Sequence, residues 1–369
     1  MRSKRRKKIV LEPGKRTTQV LEFEHELQHK VVGQKEAVST LVTAYQAVLA
    51  GMAPDDRPIA NLLFLGPTGS GKTRTVEAAA EILFGSPRAV VKIDCGEYQH
   101  GHEIAKLIGS PPGYIGHNET QPMLTQSALD QFHTDDLRMT FVLFDEIEKA
   151  SDSVWRLLLG VLDKATLTLG DNRKVDFSRT VIVMTSNLGA AEMSRLLGGG
   201  IGFTSSNEAL GADVNRKLSG VAIEAAKARF SPEFMNRIDR TVVFQTLTEP
   251  ELVDILELEL STVQRRLMSA QRNRAFVLRC ERKVKTFLIK EGTDPKYGAR
   301  PLKRAIDRHL VQPLTCLIST EQINLGDVVN VSMGRDGQSL VFTKDGVTPF
   351  LPAPIPSPER LIIHYSAGA

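Results

Sequence analysis

Along this chain, short runs of consecutive apolar residues alternate with longer stretches in which apolar residues return every three or four positions. Over 34–49, Val38, Leu41, Val42, Tyr45, Val48 and Leu49 recur at helical spacing, with Gly51 and Pro54 beyond as stop signals. Leu62-Leu63-Phe64-Leu65 is wholly apolar and ends at a glycine-rich turn; Val76, Ala79, Ala80 and Leu83 then share one face of a helix predicted over 75–84. Three further apolar runs, at 89–93, 140–144 and 180–185, are separated by helix-length segments. Strands covered on both faces read as unbroken apolar runs, and separations of that length imply crossover connections. The pattern therefore predicts an α/β domain, a parallel sheet flanked by helices.

Beyond Phe244 the pattern changes. A helix is predicted over 249–268, with Leu252, Ile255, Leu256 and Leu260 on it, followed by shorter helical pieces at 284–289 and 302–310 and two β-like runs at 328–333 and 339–343. Single cores usually stop growing near ~250 to 300 residues, so 369 residues predict two domains. The expected division is a basic flexible tail over 1–20, a large domain over 21–244, a smaller, mainly helical domain with a short β element over 245–345, and a proline-rich tail over 346–369.

Composition adds limits. An apolar fraction of 41% and a charged fraction of 24% are those of a globular chain. No stretch reaches the ~18 apolar residues of a membrane helix, and the basic start runs into only Ile9-Val10-Leu11, too short for a signal-peptide core. A cytoplasmic protein with no membrane partner is expected. Residues 1 to 16 hold eight Lys or Arg and one Glu, leaving 39 basic and 42 acidic residues in the rest. A basic arm can bind nucleic acid, but a short charge run at a terminus reads better as a solvated tail. Cys95, Cys280 and Cys316 are too far apart for a metal knuckle and read as buried, reduced thiols.

The chemistry begins at Gly66-Pro67-Thr68-Gly69-Ser70-Gly71-Lys72-Thr73. In G-x-x-x-x-G-K-[ST], a glycine-rich turn lets successive backbone N–H groups face phosphates, and the N-terminus of the helix behind it favours negative charge. Lys72 would reach the β- and γ-phosphates of ATP, and Thr73 would offer its hydroxyl to Mg²⁺, which prefers oxygen ligands. Phe141-Val142-Leu143-Phe144 ends in Asp145-Glu146, at the edge where open α/β sheets bind ligands. Asp145 is suited to hold Mg²⁺, and Glu146 to orient or deprotonate an attacking water.

Several ordered segments, Val31-Val32-Gly33-Gln34, the phosphate loop, Gly113-Tyr114-Ile115-Gly116, Asp145-Glu146-Ile147-Glu148-Lys149-Ala150, Met184-Thr185-Ser186-Asn187, Pro232-Glu233-Phe234-Met235-Asn236-Arg237-Ile238-Asp239 and Tyr297-Gly298-Ala299-Arg300-Pro301-Leu302, give the chain its resemblance to known proteins. It resembles a Clp ATPase of the AAA+ superfamily, specifically the second ATPase module of double-ring members. That resemblance implies that Val31 and Val32 line the adenine pocket and that Asn187 is the polar sensor positioning the lytic water. It implies further that Arg237 is an arginine finger acting on the neighbouring subunit's ATP in a hexameric ring, and that Arg300 is the sensor arginine of the small domain. Tyr114 and Ile115 would form a pore loop gripping unfolded or misfolded polypeptide, although His117-Asn118-Glu119-Thr120 departs from the family's usual continuation. Ile201, Gly202 and Phe203, after a glycine run, are similar to the element with which some members dock on a Clp-type peptidase. With no segment resembling a first ring, an amino-terminal domain or a heptad insertion, a stand-alone module is expected.

The leading expectation is an ATP-dependent unfoldase, the ATP-binding subunit of a Clp-type protease. A peptidase-independent chaperone or disaggregase is the alternative in the same fold. A DNA-handling motor, for which only the basic arm speaks, and a non-hydrolysing scaffold, which Glu146 and Arg237 disfavour, are the readings from other classes.

Overall fold

The apolar runs are neighbouring strands of one sheet. The computed structural model describes residues 12–111, 121–198, 208–269, 275–293 and 299–345. In chain order the strands of the first part are β1 (Ala60–Leu65), β2 (Val90–Asp94), β3 (Thr140–Asp145), the short pair β4 (Thr166–Thr168) and β5 (Lys174–Asp176), β6 (Thr180–Ser186) and β7 (Arg240–Val243). Five of them form a parallel sheet in the order β2-β3-β6-β1-β7, while β4 and β5 pair antiparallel by themselves. β1, with every residue buried, sits between β6 and β7, and its Leu65 pairs with Ser186 on one side and Val243 on the other.

The helices are α1 (Thr18–Lys30), α2 (Lys35–Leu49), α3 (Lys72–Phe84), the short α4 (Ala105–Ile108) and α5 (Gln126–Asp130), α6 (Asp152–Lys164), α7 (Ala190–Gly198), α8 (Glu208–Arg229) and the single turn α9 (Pro232–Met235). Alternation along each central strand assigns its residues to two cores. Leu62, Phe64, Phe141, Leu143, Val181 and Val183 pack with Phe23, Leu27, Leu41, Val76 and Ala79 of α1, α2 and α3. Leu63, Leu65, Val142, Phe144, Ile182 and Met184 pack on the other face with Leu158, Leu162, Leu218 and Ala222 of α6 and α8. Successive residues in the middle of β1, β3 and β6 thus serve one layer or the other, which is why the sequence shows apolar runs rather than alternation. The carboxyl ends of β1, β3 and β6 emerge together at one edge.

Contacts divide the chain into two units. One runs to Ile255 and takes in Thr293–Pro301; the other comprises Leu256–Gly292 and the chain from Leu302 on. The division falls inside α10 (Glu249–Ser269), eleven residues past the expected boundary at 244, and Arg300 belongs with the larger unit. In the smaller unit, α11 (Arg282–Gly292), α12 (Arg300–Ile306) from Leu302 on and α13 (Gln312–Ser319) accompany a sheet ordered β10-β9-β8, from β8 (Val277–Cys280), β9 (Val328–Met333) and β10 (Leu340–Asp345). A π-helical turn, Asp307–Val311, joins α12 to α13.

Three expectations need correction. Helix α1 starts at Thr18, with the Thr17 hydroxyl accepting the Val20 N–H (3.4 Å), so the last residues of the stretch read as a tail over 1–20 are helical. The thiols are free, but only Cys95 is buried; Cys280 is half-buried and Cys316 exposed. Helix α3 begins at Lys72, not Thr75, so the lysine is in its first turn. Among the described residues no helix is long and apolar enough to cross a membrane.

Candidate nucleotide site

The loop between β1 and α3 is built from glycines for a steric reason. Gly66 has φ 142°, and a Cβ there would stand 2.6 Å from the Phe244 carbonyl oxygen, so the chain can leave β1 beside the end of β7 only without a side chain. Gly69 (φ 79°) and Gly71 (φ 100°) make the remaining left-handed steps. The loop is fastened from behind by Gln34, 5% exposed. Its amide accepts the Gln245 N–H (3.2 Å) and donates to the carbonyls of Gln245 (3.1 Å) and Ser70 (3.3 Å). One side chain thereby holds the phosphate loop against the end of β7.

Lys72 is buried, and its Nζ donates to Gly66 O (2.7 Å), Pro67 O (2.9 Å) and Asn187 Oδ1 (2.9 Å). Burial pushes this ammonium down to about 8, although Glu148, Asp145 and Glu146 pull it the other way. A phosphate favours the charged form. At pH 8 binding of ATP is therefore expected to take up about half a proton, and affinity should decline as pH rises above 8. Calorimetry in two buffers of different ionisation enthalpy reads this directly; no proton uptake at pH 8 would mean that Lys72 is already charged when ATP arrives.

Asp145 ends β3 next to β6. The Thr73 hydroxyl donates to its two oxygens (3.1 and 3.2 Å), the Thr185 hydroxyl donates to Oδ1, and Lys92 Nζ lies 3.6 Å from Oδ2. Glu146 follows in the left-handed region, φ 56°, a conformation that costs a non-glycine residue on the order of 1–3 kcal/mol and persists only when its surroundings impose it. Those surroundings are visible. Its N–H donates to Thr185 Oγ1 (3.1 Å), Asn187 Nδ2 donates to its Oε1 (3.3 Å), and Lys149 pairs with Oε2. The Asn187 N–H donates to Glu148 Oε1 (3.1 Å), and the buried Oε2 of Glu148 has no hydrogen-bond partner among the described residues. Sequence reading selected Lys72, Thr73, Asp145, Glu146 and Asn187; Thr185, Glu148, Lys149 and Gln34 stood in the quoted segments without a role.

Thr73 and Asp145 present a hydroxyl and a carboxylate side by side at the start of a helix, the oxygen donors that Mg²⁺ takes when substrate phosphates and water fill its remaining positions. Among the described residues no group of three His, Cys, Asp or Glu could hold a metal unaided. The residues fit an ion that arrives with a nucleotide.

Residues 57–241 match the AAA domain family of the Cdc48 subfamily, and residues 247–331 match the C-terminal, D2-small domain of ClpB protein. The chain belongs to the Clp ATPases. It is 39% identical over 323 residues to the chaperone protein ClpB of Bdellovibrio bacteriovorus, covering 88% of this chain and 34% of the relative. An ATP-dependent Clp protease ATP-binding subunit ClpA homolog of Guillardia theta is also 39% identical over 323 residues, covering 88% and 38%. A closed-state reconstruction of Hsp104 with ATPγS and FITC-casein superposes with TM-score 0.71 at 28% identity, covering 88% of this chain and 52% of that one. This Clp ATPase spans little more than a third of the length of the curated relatives it matches.

The remaining residues selected from the sequence of this Clp ATPase are placed as follows. Val31 is buried in the core beneath α1 and α2, and Val32 is half-buried beside it. Within the larger unit Ala299 N donates to Gly69 O (3.3 Å), and the charge of Arg300 bears on Lys72. Arg237 is not gathered into the site. It follows α9, where the Asn61 side chain donates to its carbonyl (3.1 Å) at the amino end of β1, while the phosphate loop leaves the carboxyl end. Tyr114, Ile115, Ile201, Gly202 and Phe203 lie outside the described residues.

Proposed function

We propose that this module hydrolyses ATP with Mg²⁺ and uses the cycle to unfold protein substrates, threading them through a ring of six copies. The observation that carries the reading is the continuous set of contacts from Lys72 through Asn187 to Glu146, beside the Thr73–Asp145 pair, at the strand edge where nucleotides bind. An incoming γ-phosphate competes for the Lys72 ammonium with Gly66 O, Pro67 O and Asn187 Oδ1. As Lys72 turns to the phosphate, Asn187 is freed to hold a water between itself and Glu146, whose carboxylate accepts the proton. Mg²⁺, held by Thr73 and Asp145, would neutralise charge on the phosphate oxygens.

Arg237 acts in trans on this reading. Its place at the far edge of its own sheet keeps it from its own nucleotide, which supports a finger offered to the next copy. The ring, the unfolding activity and a cytoplasmic location are inferences from the family, supported by the casein in the Hsp104 complex and by ClpB among the relatives. Chaperone and protease-subunit relatives match equally well, so the peptidase is the finer part of the proposal. Recovery of a peptidase with the wild type but not with a chain altered at Ile201 and Phe203 would support the protease subunit; no recovery favours the disaggregase.

ATP-dependent unfolding of a tagged, stable reporter tests the reading. Tyr114→Ala is expected to abolish unfolding while ATP turnover survives within about threefold, since gripping rather than chemistry is removed. Unfolding that persists in Tyr114→Ala would remove this loop from the path of the polypeptide.

A further inference from the structure

Lys149 pairs with Glu146 across three residues, with its own side chain 49% exposed. Ion pairs this exposed contribute about 0–1 kcal/mol to stability, so stabilising the fold does not account for it. Its geometry offers another use. Glu146 Oε1 is taken by Asn187 Nδ2 from the phosphate side, and Oε2 is taken by Lys149 from the other, so the carboxylate is held at both oxygens.

The turn that presents Lys149 is itself fixed. Trp155 Nε1 donates to Ile147 O (3.0 Å), Arg229 donates to Glu148 O (3.1 Å) while stacking 4.4 Å from the Trp155 ring centre, and Lys149 N donates to Glu146 O (2.9 Å). The lysine stem passes beside Gly96 in the turn after β2, where a Cβ would already stand 4.0 Å from Lys149 Cδ. A charged donor on an anchored backbone thus reaches a carboxylate whose own backbone is held in an unfavourable conformation.

We propose that Lys149 is a positioning residue for hydrolysis, orienting the Glu146 carboxylate so that Oε1 faces the attacking water. This rests on Glu146 acting as the base. Without Lys149 the carboxylate keeps, among the described residues, only the 3.3 Å contact from a neutral amide and is freer to swing about its side-chain bonds. Misplacement of a reacting group by about 1 Å can cost on the order of 10²-fold in rate.

The full chain assembled with ATP and Mg²⁺ is compared as wild type, Lys149→Met and Lys149→Arg, with steady-state turnover, the Kd of a fluorescent ATP analogue and the thermal midpoint measured on each. The expected result is a kcat lowered about 10- to 100-fold in Lys149→Met at unchanged Kd and midpoint, with Lys149→Arg restoring most of it. Wild-type kcat in Lys149→Met overturns the proposal. So does a joint loss of kcat and nucleotide affinity that arginine does not rescue, because that marks a structural role. Glu146→Gln run in parallel separates the two failures: if it still turns over, the base assignment fails, whereas if it is dead and Lys149→Met is normal, only the positioning role does.

Discussion

Glu146→Gln is expected to bind ATP with wild-type affinity and to hydrolyse it about 10²- to 10⁴-fold more slowly, the range that general-base groups supply. Affinity survives because the phosphate grip belongs to other groups, the glycine loop and Lys72, neither of which bonds to Glu146. Glutamine keeps the length of the side chain and a carbonyl oxygen for Asn187, while losing the lone pair that takes a proton and the charge that meets Lys149. Single-turnover hydrolysis beside an equilibrium binding titration makes the comparison. Hydrolysis within about twofold of wild type would take Glu146 out of the mechanism and direct attention to Glu148, whose unpartnered buried oxygen is the other candidate at the end of β3.

Arg237→Ala is expected to cost about 10³ to 10⁵ in turnover, the effect of removing an arginine finger, or about 4–7 kcal/mol of transition-state stabilisation. Within its own chain the guanidinium has little to lose. It donates to Glu233 O (3.0 Å) and lies 3.2 Å from the Glu233 carboxylate and 3.7 Å from Asp163, while its Nε is buried without a partner among the described residues. The two partner carboxylates are more than half exposed, so these pairs hold the arginine in place more than they hold the fold together. Mixing gives the sharper result. A ring that combines Arg237→Ala and Glu146→Gln copies should regain part of its turnover, because a copy with intact Glu146 can sit beside one with intact Arg237. An arginine working on its own nucleotide would give none, since each chain would then lack one half of its own site.

The central strands were legible because they are covered on both faces. β1, β3 and β6 are buried at nearly every position, and each carries an unbroken run of four apolar residues, Leu62–Leu65, Phe141–Phe144 and Val181–Met184. β7 escaped because it is an edge strand opening with Arg240 and Thr241, and only Val242 and Val243 are buried. The β4–β5 pair escaped because each strand has three residues with a single buried one between exposed neighbours. In the nucleotide site, fixed local spacing announced Lys72 and Thr73, and the abrupt end of an apolar run announced Asp145 and Glu146. Thr185 and Gln34 act through partners far along the chain: Thr185 serves Asp145 and Glu146 only because β6 lies next to β3, and Gln34 reaches Gln245 across 211 positions. No spacing rule encodes such pairs; the strand order does. The left-handed backbone of Glu146 has no sequence signature either, since the residues that impose it are those same long-range partners.

Asn61, the second residue of β1, is 1% exposed. Its amide donates to the carbonyls of Leu162 and Arg237, its N–H to Asp239 Oδ2, and its own carbonyl receives the Asp239 N–H. Six residues of β1, about 20 Å at strand rise, therefore join this knot to the glycine loop at the other end. Buried on both faces and paired on both sides, the strand has no slack with which to absorb a displacement. It has the build of a strut, tying the phosphate loop at one end to the segment bearing Arg237 at the other. On the proposed ring, that makes β1, through the hydrogen bond from Asn61, a short route between a copy's own phosphate loop and the arginine it would offer to the next.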